Sequence, residues 1–175
     1  MNAINAVLNR KLVLNSFYIL LSKEADTIKV GEVLGRSLKP GAIVALKGEL
    51  GAGKTVLVKG IAKGLDVNGE PNSPTFVIMN AYEGRIPLYH FDFYRVSGVF
   101  ELEGIGYEDY FYDDGVTVVE WADRVEGVFP ESAIWIEIKI PGKRNTNSNV
   151  REINVEGEEK WLSLFRSMVE LVLPI

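Results

Sequence analysis

Residues 48 to 55 read Gly-Glu-Leu-Gly-Ala-Gly-Lys-Thr, and this glycine-rich octet constrains the possible folds more than any other stretch of the chain. Glycines let a backbone curl so that successive N–H groups face an anion, a conformation that side chains would obstruct. Such a loop belongs between a strand and a helix, because the helix N-terminus adds its own partial positive charge. Both neighbours fit. Ala42 to Leu46 is a short, continuously apolar run of the kind buried on both faces of a sheet, and Thr55 to Leu65 suits a helix. The pattern is that of a Walker A phosphate loop, in which Lys54 reaches the β- and γ-phosphates and Thr55 sets its hydroxyl on Mg2+. The bland alternative is a glycine-rich turn with no ligand.

The rest of the chain supplies a matching rhythm. Asn15 to Leu21 reads as a first strand. From Thr27 onward, Val30, Val33, Leu34 and Leu38 share a helical face, with Asp26 or Thr27 as cap and Pro40-Gly41 as the stop. Thr75 to Tyr82 and Ile86 to Phe93 are strand candidates joined by a turn at Glu83-Gly84-Arg85. Val116 to Val119 is a further buried strand, and Ile134, Ile136, Ile138 and Ile140 alternate with Trp135, Glu137 and Lys139. Pro141 to Asn149 reads as a polar loop, Val150 to Val155 as a final strand and Glu158 to Val172 as an amphipathic closing helix. The expectation is one α/β, P-loop NTPase-like domain over residues 1–175, its core at about 16–155. Its sheet is mixed and mostly parallel, flanked by helices in three layers.

Composition narrows the function classes. The 175 residues carry 24 acidic and 19 basic side chains, a net charge of −5, which builds no broad positive field for independent nucleic-acid binding. There is no cysteine, so disulfides and thiolate metal sites are excluded. Met1 to Leu14 lacks a signal-peptide pattern, and no apolar run approaches the roughly 20 residues that cross a bilayer. The expected location is the cytoplasm, with no membrane association.

A nucleotide-hydrolysing site also needs a carboxylate near Mg2+ and a group that orients water, usually at the carboxyl ends of strands beside the loop. Two strand candidates end in acids, Asp92 and Glu120. Tyr89, Phe91 and Phe93 share one face of the first, which leaves Leu88, His90 and Asp92 on the other. Two readings stand for each acid: Mg2+ or water chemistry, or a structural part in which Asp92 caps a turn and Glu120 pairs with Arg124. Ser73-Pro74-Thr75 is either a switch that brings a threonine to Mg2+ and the γ-phosphate or a turn before a strand. Trp121 is core or a cover for the nucleotide. His90, the lone histidine, reads as packed or hydrogen-bonded.

Four blocks in order, Gly48 to Thr55, Ser73-Pro-Thr-Phe76, Tyr89-His-Phe-Asp-Phe-Tyr-Arg95 and Glu120-Trp121, make the chain resemble the TsaE (YjeE) family of ATPases, from about Ser16 to about Val155. The resemblance implies a mixed sheet around the P-loop, binding of ATP or ADP with Mg2+, and weak ATP hydrolysis by the isolated chain. It implies partnership with TsaB and TsaD, which with TsaC make the threonylcarbamoyl modification of tRNA adenosine 37, the tRNA being reached through the complex. It also implies roles for residues. Gly51, Ala52, Gly53, Lys54, Thr55 and Val56, with Gly48 at the loop's start, hold the phosphates, and Thr55 and Glu120 hold Mg2+. Asp92 is the Walker B-like acid, a further candidate for the metal, and Thr75 is the switch threonine. With Lys54, Thr75, Asp92 and Glu120 make up the catalytic set. Trp121 lies near the nucleotide, the segment Ser22 to Thr27 borders the base, and Arg151 matches an arginine of a later strand. The chain departs at Ala122, where many relatives have proline, and in the tail after Val155.

Two other functions compete. A small-molecule kinase would need an acceptor pocket and usually a basic lid, for which the Pro141 to Asn149 loop with Lys143 and Arg144 could be mistaken; a nucleotide-sensing scaffold would bind without turnover. No Asn-Lys-x-Asp guanine-reading sequence is present, which disfavours a GTPase.

Overall fold

The computed structural model describes residues 15–142 and 149–173, so most of the loop expected at 141–149, including Lys143 and Arg144, lies outside the described residues. Among the described residues seven strands form one sheet: β1 (Asn15–Leu21), β2 (Ile43–Lys47), β3 (Met79–Tyr82), β4 (Leu88–Asp92), β5 (Val116–Glu120), β6 (Ile134–Lys139) and β7 (Arg151–Gly157). Their order is β1-β7-β6-β2-β5-β4-β3. Strands β6, β2, β5 and β4 are mutually parallel, while β7 and β3 run against them. The sheet is mixed and mostly parallel, as expected.

Alternation along the strands divides the core in two. Val44 and Leu46 of β2, Leu88 of β4 and Val116 and Val118 of β5 pack beneath α1 (Glu24–Ser37), α2 (Lys54–Gly64) and α5 (Glu159–Val172). On the opposite face Ile43, Ala45, Phe91, Phe93 and Val119 meet the short helices α3 (Val99–Glu103) and α4 (Glu108–Phe111) and the 3-10 stretch Ala122–Val128. Among the described residues three layers are complete only over the parallel strands. No described element covers the second face of β1, where Tyr18 and Leu20 are exposed.

Expected boundaries move most in two places. Helix α1 begins at Glu24 rather than near Thr27, and neither Asp26 nor Thr27 caps it; Lys23 is the extended N-cap and makes no side-chain cap bond. Glu24 and Asp26 instead lend negative charge to the first turn, where the helix dipole favours it. The strand expected from Thr75 starts only at Met79. Pro74 turns the chain, its carbonyl accepting from the amides of Val77 (3.0 Å) and Ile78 (2.7 Å), and Ile78 is left-handed at φ 69°.

Helices α1 and α2 touch backbone to backbone. Gly31 and Gly35 on α1 face Gly60 and Gly64 on α2, and a Cβ added at Gly31 would stand 2.5 Å from the Leu57 carbonyl oxygen and 2.9 Å from the Gly60 Cα. This contact fixes the tilt of α2, and so the place where the phosphate loop enters it. Helix α5 is packing material for the antiparallel half: Leu162, Phe165 and Val169 are buried, with Phe165 edge-on to Phe17 of β1 at 6.2 Å between ring centroids.

Candidate functional site

The octet leaves β2, crosses the carboxyl ends of the parallel strands and enters α2 at Lys54. Gly51 (φ 79°) and Gly53 (φ 107°) hold left-handed conformations that a side chain would strain. A Cβ at either would meet no atom within 4 Å, so these glycines serve the curl of the backbone and open space beside it.

Lys54 is buried to 4% exposure, its ammonium donating to the carbonyls of Gly48 (2.6 Å) and Glu49 (3.0 Å) beneath the Trp121 ring, 3.7 Å from its centroid. Burial holds this ammonium below the ordinary lysine value, an effect opposed by the carboxylates of Glu120, Asp123, Asp92 and Glu49. A cation kept partly desolvated among oriented carbonyls is poised for a stronger anion.

Strand pairing brings the two acids together. Asp92 and Glu120 are partners in the β4–β5 register, and both are buried. Phe91 and Phe93, on either side of Asp92, are anchored in the aromatic core of the opposite face, which turns Asp92 toward the helix side. Val119 and Ala122 do the same for Glu120. The Thr55 hydroxyl lies 2.8 and 3.0 Å from the two Glu120 oxygens, and His90 Nε2 lies 2.9 Å from Oε1. Arg124 does not make the pair with Glu120 that the structural reading of that acid expected; it lies over the rings of Tyr94 (5.4 Å) and Trp121 (5.9 Å).

Asp92 makes the turn cap expected in its structural reading and also ties in the segment around Pro74. Oδ1 accepts from the Tyr94 amide at 2.9 Å, the turn cap, while Oδ2 receives the hydroxyls of Ser73 (2.5 Å) and Thr75 (2.6 Å), which are themselves 2.6 Å apart. The Ser73-Pro74-Thr75 segment is thus tied to the strand end.

A cavity of about 470 Å3 collects these groups: Gly51, Gly53, Lys54, Thr55, Val56, Thr75, Asp92, Glu120 and Trp121, with Leu50, Ser73 and Tyr94, which the sequence reading did not single out as site residues. Trp121 forms part of its wall, held in a left-handed conformation at φ 59° and 5.0 Å from the Tyr94 ring. A second, smaller cavity of about 110 Å3 lies on the far side of the loop between Thr27, Ala52 and Arg151, with Glu24 and Asn149. Arg151 Nε donates to the Ala52 carbonyl at 2.9 Å, so this arginine braces the phosphate loop from β7. Gly48 lines neither cavity and contributes its carbonyl to Lys54.

The donor set suits a nucleotide-bound Mg2+. Among the described residues no group of three or more His, Cys, Asp or Glu side chains could hold a metal by itself. Magnesium is commonly held through one or two carboxylates together with phosphate oxygens and water, which is what Thr55, Glu120 and Asp92 beside a phosphate loop offer. Among the described residues no helix is long and apolar enough to cross a membrane.

Comparison with known proteins gives a consistent picture. The family model described as "Threonylcarbamoyl adenosine biosynthesis protein TsaE" matches residues 21–150. A tRNA threonylcarbamoyladenosine biosynthesis protein TsaE from Treponema pallidum is 42% identical over 130 residues, covering 74% of this chain and 93% of that protein. The protein of the same name from Streptomyces coelicolor is 38% identical over 138 residues, 76% of this chain and 92% of its own. A crystal structure of Bacillus subtilis YdiB superposes with a TM-score of 0.71 at 28% identity, covering 90% of this chain and 95% of that one.

Proposed function

Because the chain belongs to the TsaE family, we propose that it takes part in tRNA threonylcarbamoyladenosine biosynthesis as an ATP-binding, weakly ATP-hydrolysing subunit. Its partners in this reading are TsaB- and TsaD-like proteins, through which it reaches tRNA, and it works in the cytoplasm. The observation that carries the proposal is the meeting of Lys54, Thr55, Asp92 and Glu120 around one cavity at the mouth of a phosphate loop.

Each group has a part. The backbone of Gly51 to Val56 and the Lys54 ammonium receive the phosphates of ATP or ADP, and the start of α2 adds its dipole. Thr55 and Glu120 would hold Mg2+, with Asp92 as a further metal-side or water-orienting acid. The ion would neutralise charge that develops on the phosphate oxygens. Thr75, released from Asp92, turns toward the same point, and Trp121 with Tyr94 shields it from solvent. Thr27 and Arg151 border the side of the loop where the base would lie. The chain does not transfer the threonylcarbamoyl group; ATP turnover resets the partner assembly.

Calorimetry with Mg2+ and adenine nucleotide tests the binding step: Lys54→Ala should weaken uptake at least tenfold, the scale of one lost charge-assisted contact. Glu120→Ala should lower kcat more than affinity, because its contact matters most in the transition state. Equal losses in both would leave Glu120 a binding group only. Omitting the chain from a reconstitution with TsaB, TsaD, TsaC, tRNA, threonine, bicarbonate and ATP should stop repeated rounds of modification. Undiminished turnover there would remove the proposed role.

A further inference from the structure

We infer that His90 is the positioning residue of Glu120, holding that carboxylate in place when the Thr55 hydroxyl turns from it to Mg2+. The inference rests on the reading of Glu120 as a metal-side acid. His90 sits on β4 two residues before Asp92, opposite Val118 of β5, so its ring lies diagonally across the strand pair from Glu120. It is fully buried, and its Nε2 is 2.9 Å from Glu120 Oε1. Its Nδ1 has no hydrogen-bond partner among the described residues.

The two nitrogens are used unequally. A carboxylate only accepts, so Nε2 carries a proton and donates to Glu120 Oε1, while Nδ1 makes no hydrogen bond among the described residues. A buried imidazole with one nitrogen unused is a poor choice for packing alone, since an aliphatic side chain there would leave no polar atom unsatisfied. Among the described residues the ring's single polar contact is with Glu120.

The carboxylate's other partner is labile by function. Thr55 spans both Glu120 oxygens at 2.8 and 3.0 Å, and the proposed chemistry draws its hydroxyl to the metal. His90 then remains to fix Oε1, while Oε2, which among the described residues is bonded by Thr55 alone, is the oxygen set free. Groups that orient a metal-side ligand in this way commonly change metal affinity tenfold or more when removed.

The test uses the full chain and three variants with graded reach. His90→Leu fills the site without a donor, His90→Gln extends an amide N–H to about the position of Nε2, and His90→Asn carries the same amide too short to arrive. ADP binding is titrated in EDTA and against Mg2+, beside thermal melts and ATP turnover. His90→Leu and His90→Asn should bind ADP normally in EDTA, need about tenfold more Mg2+ for the Mg2+-dependent gain, and lose kcat more than KM. His90→Gln should stay within about threefold of wild type in Mg2+ dependence. Wild-type Mg2+ dependence in His90→Leu, or equal loss of ADP binding by all variants in EDTA, overturns the proposal. Should His90→Leu fail to fold, the Gln–Asn contrast decides, and identical Mg2+ dependence in those two overturns it. Glu120→Gln runs in parallel: if it too keeps wild-type Mg2+ dependence, the reading of Glu120 itself falls, whereas an impaired Glu120→Gln beside a normal His90→Leu removes only the role of His90.

Discussion

Lys54 carries a conflict that can be measured. Its ammonium is held below the ordinary lysine value, by burial first and against the pull of Glu120, Asp123, Asp92 and Glu49. A depressed lysine value means that the unfolded chain binds this proton more readily than the folded one. Stability from this group therefore rises with pH through the alkaline window between the two values, and its penalty is greatest below that window. Thermal melts of wild type and Lys54→Met at pH 7 and pH 10 should show wild type gaining on the variant as pH rises; a constant or reversed difference would contradict the desolvated ammonium. Trp121, in the cavity wall, and Ile78, whose carbonyl accepts from the Asp92 amide, store strain, since bulky and β-branched residues seldom adopt positive φ.

The elements place these residues through contacts of two kinds. Local ones were legible in sequence: an apolar run, a glycine-rich loop and a helix start follow one another, and alternation from Tyr89 to Phe93 correctly turned Asp92 away from the aromatic face. Long-range ones were not. That Glu120 meets Thr55 and His90 depends on strand register, which spacing along the chain does not contain. The start of β3 was misplaced because strand-forming residues after Pro74 outweighed the turn that proline imposes. One long-range contact did leave a trace, the four-residue spacing of Gly31 with Gly35 and of Gly60 with Gly64. Alanine at Gly35 would drive its Cβ into the Ile61 carbonyl oxygen, so Gly35→Ala should cost about 1–3 kcal/mol by forcing α1 and α2 apart. Chemical denaturation gives the value; an unchanged midpoint would mean that the helices are not held by this contact. Nucleotide affinity should fall in the same variant, because α2 carries the phosphate loop.

At the scale of the molecule, the sheet joins a parallel half that builds the site to an antiparallel half that backs it. Helix α5 lies beyond the residues that the family model matches, yet it buries Leu162, Phe165 and Val169 against that second half. At about 1.5–3 kcal/mol for each large apolar side chain, its loss approaches the whole stability of an ordinary domain. A chain ended at Gly157 should therefore show no cooperative thermal transition; a melt like that of the full-length protein would reduce α5 to an ornament. The acidic balance makes a further demand, that the isolated chain leave tRNA unshifted in a gel at physiological salt. Arg151 gives the arrangement its last consequence. Its guanidinium is a splint set across the cradle from a distant strand, so slackening the rear of the molecule would blunt the grip at its front. Damage far from the chemistry would then be recorded as a weaker hold on the ligand before any outright collapse is seen.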